Sequence, residues 1–292
     1  MSSGVRSPTG KKSNLSQNLI RGLVFTYLSF FILLPLAGLV WKASQRSLPD
    51  LWQVMVSETA LDAYKLTFTT TLIAATVNSF FGLILAWILV RYEFPCRRLA
   101  DGLVDMPFAI PGVVAGITLV SLYAPGGAIG QFFDPGTTLG NFFQRFGIEE
   151  VNLTSSVVGV LMAQIFSTLP FVVRTVQPAL VELEPEVEES AYTLGANPWQ
   201  TFRRVIFPLL LPAILTGFTL ALARAIGEFG IILIISGNIP HETLVSTVYV
   251  FQRLEEFDYS GATAVAIVLL ILSLSLLTAV NLLQRWSRRY DF

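Results

Sequence analysis

EPEVEESAYTLGANPWQTFRRVIFP, residues Glu184–Pro208, is the stretch whose reading decides the rest of the chain. It is polar, it separates two long apolar runs, and its interior is written as a short helix. Pro185 suits a first helical position, where the missing N–H costs nothing. Glu186, Glu188 and Glu189 crowd the first turn, where the helix dipole favours negative charge. Leu183, Val187, Ala191 and Leu194 recur at helical spacing and predict one apolar stripe. Gly195 stands where a left-handed cap is wanted, and Pro198 bars continuation. The helix so predicted has about ten residues and a length of roughly 15 Å.

The surroundings of this helix are those of a membrane protein. Of 292 residues, 53% are hydrophobic and 13% charged, where a soluble domain carries about 25% charge; mean hydropathy is +0.64. Several apolar runs of bilayer length predict an all-α membrane protein that crosses the membrane several times. The single cysteine, Cys96, excludes an intrachain disulfide and reads as a small filler residue. The single histidine, His241, lies in a polar loop and excludes a histidine-based metal cluster. No cleavable signal peptide is expected, because Met1–Gln17 is polar and the first apolar run is long enough to span.

Taken in order, residues 1–17 read as a disordered Ser/Gly/Lys-rich segment, and 18–289 as one transmembrane domain. Spans are expected at Ile20–Trp41, Leu66–Val90, Leu103–Ala124, Ser155–Val176, within Val205–Ser236, and at Gly261–Leu283. That makes six transmembrane helices. The third holds Pro107 and Pro111, so it is expected to recover lost backbone bonds from neighbouring helices. An amphipathic patch is expected at Leu48–Val56, and a short interfacial helix at Thr138–Phe146. The Val205–Ser236 run is about 32 residues long, more than the roughly 20 a bilayer needs. It must tilt or break, and Gly227 and Gly230 are the expected weak points.

Orientation follows from the basic residues. With both termini cytoplasmic, thirteen Lys and Arg fall inside, five fall outside (Lys42, Arg46, Lys65, Arg145 and Arg253), and Arg224 lies in a span. That split predicts cytoplasmic termini and a cytoplasmic 178–208 loop.

Glu189-Ser190-Ala191, then Gly195, then Val205-Ile206-Phe207-Pro208 resembles the EAA loop of ABC importer permeases, the binding-protein-dependent permease family. Ser190, Val205 and Phe207 are exchanges that keep its shape. Leu103–Gly112, Pro170–Pro178, Arg224–Gly230, Ser236–Pro240 and Arg253–Tyr259 are further similar to the sulfate/molybdate branch, and most of all to T-type subunits of sulfate/thiosulfate importers. The likeness runs from about Leu34 to Arg289. It implies a six-helix permease in a bacterial cytoplasmic membrane, paired with a W-type sulfate permease subunit. It further implies two ATP-binding subunits, a periplasmic sulfate/thiosulfate-binding protein, and alternating access that carries the sulfate anion past membrane lipid. Glu189, Ser190, Ala191, Gly195 and Pro208 would then form the docking surface for the ATP-binding subunit. Molybdate or another oxyanion is the alternative cargo.

Arg224 and Glu228 stand four apart in an apolar run, and a charge at membrane depth normally faces a partner or a wet path. Two readings stay open: a lining of the anion route, or an ion pair that fixes the break. Pro107, Pro111 and Gly112 are candidate path residues of the same kind, through freed backbone N–H groups; helix packing is their other reading. Arg174 is expected to anchor the cytoplasmic end. The sequence has no G-x-x-x-x-G-K-[ST] element, no nucleophile with a matched base and no metal or cofactor motif. The chain reads as no enzyme, and its energy must come from another polypeptide; nucleic acid is not an expected partner. An ion-driven transporter would need ionisable relays in several spans, where only Asp105 and the Arg224–Glu228 pair qualify.

Overall fold

Prolines and glycines decide where the helices of this chain break, and the breaks position everything functional. The computed structural model describes residues 14–134, 136–137, 140–141 and 153–287. The chain begins with α1 (Asn14–Leu28), a π turn (Ser29–Leu33), α2 (Leu34–Ala43) and α3 (Leu48–Met55). Then come α4 (Glu58–Arg91), α5 (Arg97–Val104), α6 (Met106–Ala109), α7 (Gly112–Tyr123) and a 3-10 turn (Gly130–Phe133). The second half holds α8 (Val157–Val181), α9 (Pro185–Thr193), α10 (Pro198–Thr201), a second π turn (Phe202–Ile206) and α11 (Phe207–Ile226). It closes with α12 (Gly230–Ile235), α13 (Ser246–Glu255) and α14 (Tyr259–Ser287). No strand occurs among the described residues.

Among the described residues, five helical stretches are long and apolar enough to cross a membrane: Ile20–Ala43, Glu58–Arg91, Val157–Val181, Pro198–Ile226 and Tyr259–Leu282. The expected third span is not one helix. It is broken into α5, α6 and α7, of which only the 12-residue α7 is a sizeable apolar helix; at 1.5 Å per residue it covers about 18 Å. The cause is local. Ile110 precedes Pro111 and is forced extended (φ −96°, ψ 126°), which ends α6. The long fifth run breaks where expected, with Gly227 closing α11 and α12 starting at Gly230. Helix α1 starts at Asn14, inside the segment expected to lack structure. The Leu48–Val56 patch forms α3, whereas most of Thr138–Phe146 lies outside the described residues.

Both π turns end two residues before a proline, Pro35 and Pro208. A proline supplies no N–H to the carbonyl one turn back, and a wider turn is one way for the helix to absorb that loss.

The core is a three-helix unit of α4, α8 and α11, packed more extensively than any other group. Helix α4 presents a buried face of small residues, among them Ala60, Ala63, Ala74, Ala75, Gly82 and Ala86. In a bilayer, apolar surface alone does not drive helices together, and small residues let backbones close in. The closest approach is at Val172 of α8. A Cβ on Gly82 would sit 2.8 Å from Val172 Cγ1, and one on Gly217 of α11 would sit 2.8 Å from Val172 Cα. Buried polar pairs join the same helices: Asn78 donates to Thr168 Oγ1 (2.8 Å) and to the Ile165 carbonyl (3.0 Å), and Gln164 to Thr71 Oγ1 (3.2 Å). Thr67 donates to Ser246 Oγ (3.0 Å), which ties α13 to α4. By contrast, the membrane-length part of α1–α2 has no buried window. It projects Phe25, Phe30, Phe31 and Leu33 outward.

Candidate functional site

Two assemblies of side chains stand out, one in the polar stretch at 184–208 and one where α11 breaks. The first is a helix–turn–helix held by its own backbone. Helix α9 spans nine residues with Pro185 in its first turn and Glu184 as N-cap. At its end, Ala196 N–H donates to the Ala191 carbonyl (3.1 Å) and Gly195 N–H to the Tyr192 carbonyl (2.9 Å). That pair of bonds is the Schellman pattern, and it needs a left-handed residue at the turn. Gly195 supplies it with φ +83°, and nothing lies within 4 Å of the Cβ it lacks. Helix α10 starts at once. Asn197 accepts from Gln200 N–H (2.8 Å) while Gln200 Oε1 accepts from Asn197 N–H (3.0 Å), a complete capping box with Pro198 behind it.

The expected apolar stripe holds in part. Leu183 and Val187 turn partly inward and Ala191 is buried, but Leu194 is 88% exposed. The helix ends at Thr193, so Leu194 belongs to the turn and points outward instead. With Tyr192 and Trp199, both exposed, it gives the unit an apolar outer face. Glu189 and Ser190 also face outward, and so does Pro208, in the first turn of α11.

Neighbouring glutamates have opposite roles. Glu189 has no ion pair among the described residues, whereas Glu188 turns inward onto Arg91, the last residue of α4. Arg91 also lies over the Trp87 ring, 5.4 Å from its centroid. Trp87 in turn meets Phe202 edge-on at 5.7 Å, and Phe202 stacks with Trp199 at 5.9 Å. Arg91, Trp87 and Phe202 therefore fasten the short helices to the end of α4, in addition to the chain connections that lead to α8 and α11. Sequence reasoning missed this fastening. An aromatic residue four before a basic helix end is its only local signal, and the partner is 97 residues away.

Arg174 fastens the broken segment at the same end. Its Nε and Nη2 donate to both oxygens of Asp105 (2.8 and 2.7 Å), and Nη1 donates to Asp101 (2.7 Å) and Gln177. Nη2 also donates to the Asp101 carbonyl (2.8 Å), which engages all five donors of the guanidinium. The hydrogen bond from Gln177 and those from Arg174 hold the Asp101 carboxyl below the usual carboxylate range. Arg174 thus anchors its end, as expected, with Asp105 as its partner.

The second assembly is the break after α11. Glu228 is 2% exposed and its Oε2 lies 2.7 Å from Arg224 Nη1, off the direction of a hydrogen bond. Its Oε1 accepts from Ile231 N–H (3.4 Å) at the start of α12, and its carbonyl accepts from Thr247 (2.8 Å). The carboxylate therefore closes the gap between two helix pieces, while Arg224 is 44% exposed on its other side. Helix α12 lies against α7, and Gly112 and Gly230 meet backbone to backbone: a Cβ on Gly112 would stand 3.4 Å from Gly230 Cα. Gly116 is similarly close to Ile234. Pro107 sits in the first turn of α6 and Pro111 caps α7. The structure thus brings Gly112 to the same break as Glu228, with the prolines just ahead of it in the chain.

At the opposite end of the core, Asp258 receives Arg46 (3.1 Å), Arg253 (2.9 Å) and Gly261 N–H (2.9 Å). Burial pushes this carboxyl up, but the Gly261 bond and the two arginines outweigh it and leave it below its ordinary value. His241 pairs with Asp62 at 2.7 Å. Among the described residues no group of three or more metal-ligating side chains is assembled.

Comparison with known proteins follows the same lines. The family described as "Binding-protein-dependent transport system inner membrane component" matches residues 78–289. The "Sulfate transport system permease protein CysT" of Synechocystis is 46% identical over 90% of this chain and 88% of its own. The protein of that name from Escherichia coli is 43% identical over 92% of both. Among solved structures, a bacterial alginate ABC transporter in complex with an alginate-bound periplasmic protein superposes with a TM-score of 0.71 at 21% identity, over 93% of each chain. The MetNI methionine ABC transporter gives 0.58 at 17% identity, over 83% of this chain and 99% of that one. At such identities the superpositions speak for the fold alone.

Proposed function

Because the chain belongs to the family of binding-protein-dependent transport system inner membrane components, and is a multi-pass inner membrane protein, we propose that it is the sulfate-conducting permease subunit of an ATP-driven importer. The cargo is carried over from the named relatives. The observation that carries the mechanism is the α9–α10 unit, exposed on one side and fastened to α4 by Arg91 on the other.

In this reading both termini are cytoplasmic and the α9–α10 unit is the docking element for an ATP-binding subunit. Glu189, Ser190, Tyr192 and Leu194 offer the contact surface; Ala191 and Gly195 set its shape. Two ATP-binding subunits, a second W-type permease and a periplasmic sulfate/thiosulfate-binding protein complete the assembly. Closure of the ATP-binding subunits pushes α9. Because α9 is joined to α4, α8 and α11 together, these helices move as one body, a hinge-and-shear type of change. The break at Gly227–Phe229 and the broken α5–α7 segment open or close beside them. Arg224 offers the positive charge for the anion, Glu228 keeps that arginine oriented, and Pro107, Pro111 and Gly112 line the path.

Labelled sulfate uptake by reconstituted vesicles, with and without ATP-binding subunits, tests this. Uptake that requires ATP, the binding protein and sulfate is expected, with molybdate a poor competitor. ATP-independent uptake would overturn the importer mechanism, and preferred molybdate uptake the cargo.

A further inference from the structure

A cavity of about 640 Å³ opens at the α9 end of the core, between α4, α5 and the end of α8. Leu89, Val90, Pro178 and Val181 form an apolar wall, and Arg97 and Arg98 stand at the start of α5. Neither guanidinium makes a side-chain ion pair or hydrogen bond among the described residues, although the charge of Arg97 helps to hold the nearby Asp101 carboxyl down. The third arginine on the wall, Arg174, is different. Its five donors are spent on Asp101, Asp105 and Gln177, so it attracts no further ligand. Asp101 is likewise occupied, which leaves Glu182 as the one other acid on the lining.

The depth of the cavity in the membrane follows from α5. Leu99 and Leu103, one helical turn apart, are 63% and 54% exposed, whereas Val104 is buried against the core. A short helix with exposed leucines on one side and arginines at its start lies in the interface, its leucines toward acyl chains and its arginines at headgroup level. Tyr92, exposed just before it, is the aromatic residue expected at that depth. Basic residues at the rim of an apolar cavity between membrane helices match an anionic lipid, with phosphate on the arginines and acyl chain on the wall.

We propose that this cavity binds the phosphodiester headgroup of an anionic membrane lipid through Arg97 and Arg98. The bound lipid would brace α5 against α4 and α8, next to the Arg174 cluster that holds the broken segment. The inference rests on the chain being a membrane protein and is independent of what it transports.

The test uses the full chain with its co-purifying subunits, reconstituted in equal phosphatidylglycerol and phosphatidylcholine, and counts retained lipid by native mass spectrometry. Selective retention of phosphatidylglycerol is expected. Each arginine contributes about fivefold to the preference, so Arg97→Gln with Arg98→Gln should lower it by about twenty-fivefold. Equal retention of both lipids by the unaltered protein would overturn the proposal without any variant being made. So would full selectivity in the double variant. Displacement by millimolar inorganic phosphate would point to a free-anion site and overturn the lipid assignment. Loss of a co-purifying subunit with lipid retention unchanged would assign the face to that subunit instead.

Discussion

Replacing Arg91 by alanine should loosen the α9–α10 unit while leaving the membrane core intact. Arg91 makes two contacts that can be weighed separately. Its ion pair with Glu188 joins side chains that are 27% and 18% exposed, and a pair still partly screened by solvent is worth up to about 1 kcal/mol. Its position over the Trp87 ring adds about 0.5–1 kcal/mol. Together roughly 1–2 kcal/mol hold the helix on α4, equivalent to about a five- to thirtyfold change in the ratio of held to released states. Hydrogen exchange of the amides of residues 186–194, measured in the assembled transporter, reads that ratio directly. The same preparation gives sulfate taken up per ATP hydrolysed. Arg91→Ala should raise exchange by that factor and lower the transport yield, while exchange in α8 stays as it was. Glu188→Gln should produce the smaller, ion-pair share, and the double variant should add only the ring contribution to it. If Arg91→Ala leaves both exchange and yield unchanged, the fastening is not what couples this helix to the core.

Gly195→Val should cost about 1–2 kcal/mol at the turn and reduce coupling, because φ +83° suits no β-branched residue; Gly195→Asn should be far milder, since no neighbour crowds the position, and equal effects in ATPase assays would refute the backbone argument. Gly217→Ala should destabilise the core by about 1–3 kcal/mol, since its Cβ would press on the Thr175 hydroxyl and on the Val172 backbone; thermal unfolding in detergent checks this. Arg224→Gln should abolish sulfate uptake with assembly preserved, and normal uptake would leave Arg224 only its structural pairing with Glu228. The Asp101 and Asp258 carboxyls are held below their ordinary value. Their contribution to stability is therefore complete above about pH 4 and is lost as pH falls through their folded values. Asp101→Asn should flatten the acid limb of a stability profile and leave neutral pH less affected than Arg174→Gln does.

Much of this was legible in the sequence because the signals are local. A proline forces its predecessor extended, a glycine permits a left-handed turn, and apolar runs of bilayer length announce themselves; Pro185, Gly195 and Gly227 all act where their neighbours say they should. The third span was misread for a related reason. Hydropathy averages over Pro107 and Pro111, whereas the backbone responds to each, and the apolar run becomes three short pieces. Leu194 was misread because periodicity carries no marker for where a helix stops. Long-range pairings were illegible altogether. Nothing near Arg174 names Asp101 and Asp105 as its partners, and nothing near Arg91 names Glu188. Burial in the packed fold selects those pairings.

Val172 carries a consequence for how the molecule can move. Its side chain faces Gly82 and its Cα faces Gly217, so it acts as a contact point shared by three helices. Backbones this close, with room for no added Cβ, oppose sliding of α4, α8 or α11 past one another along their axes and favour movement of the three as a single rod. A force delivered at one end of such a rod is carried toward the other end. The compliant parts of the chain are the interrupted segments beside the rod, and the widened turn before Pro208.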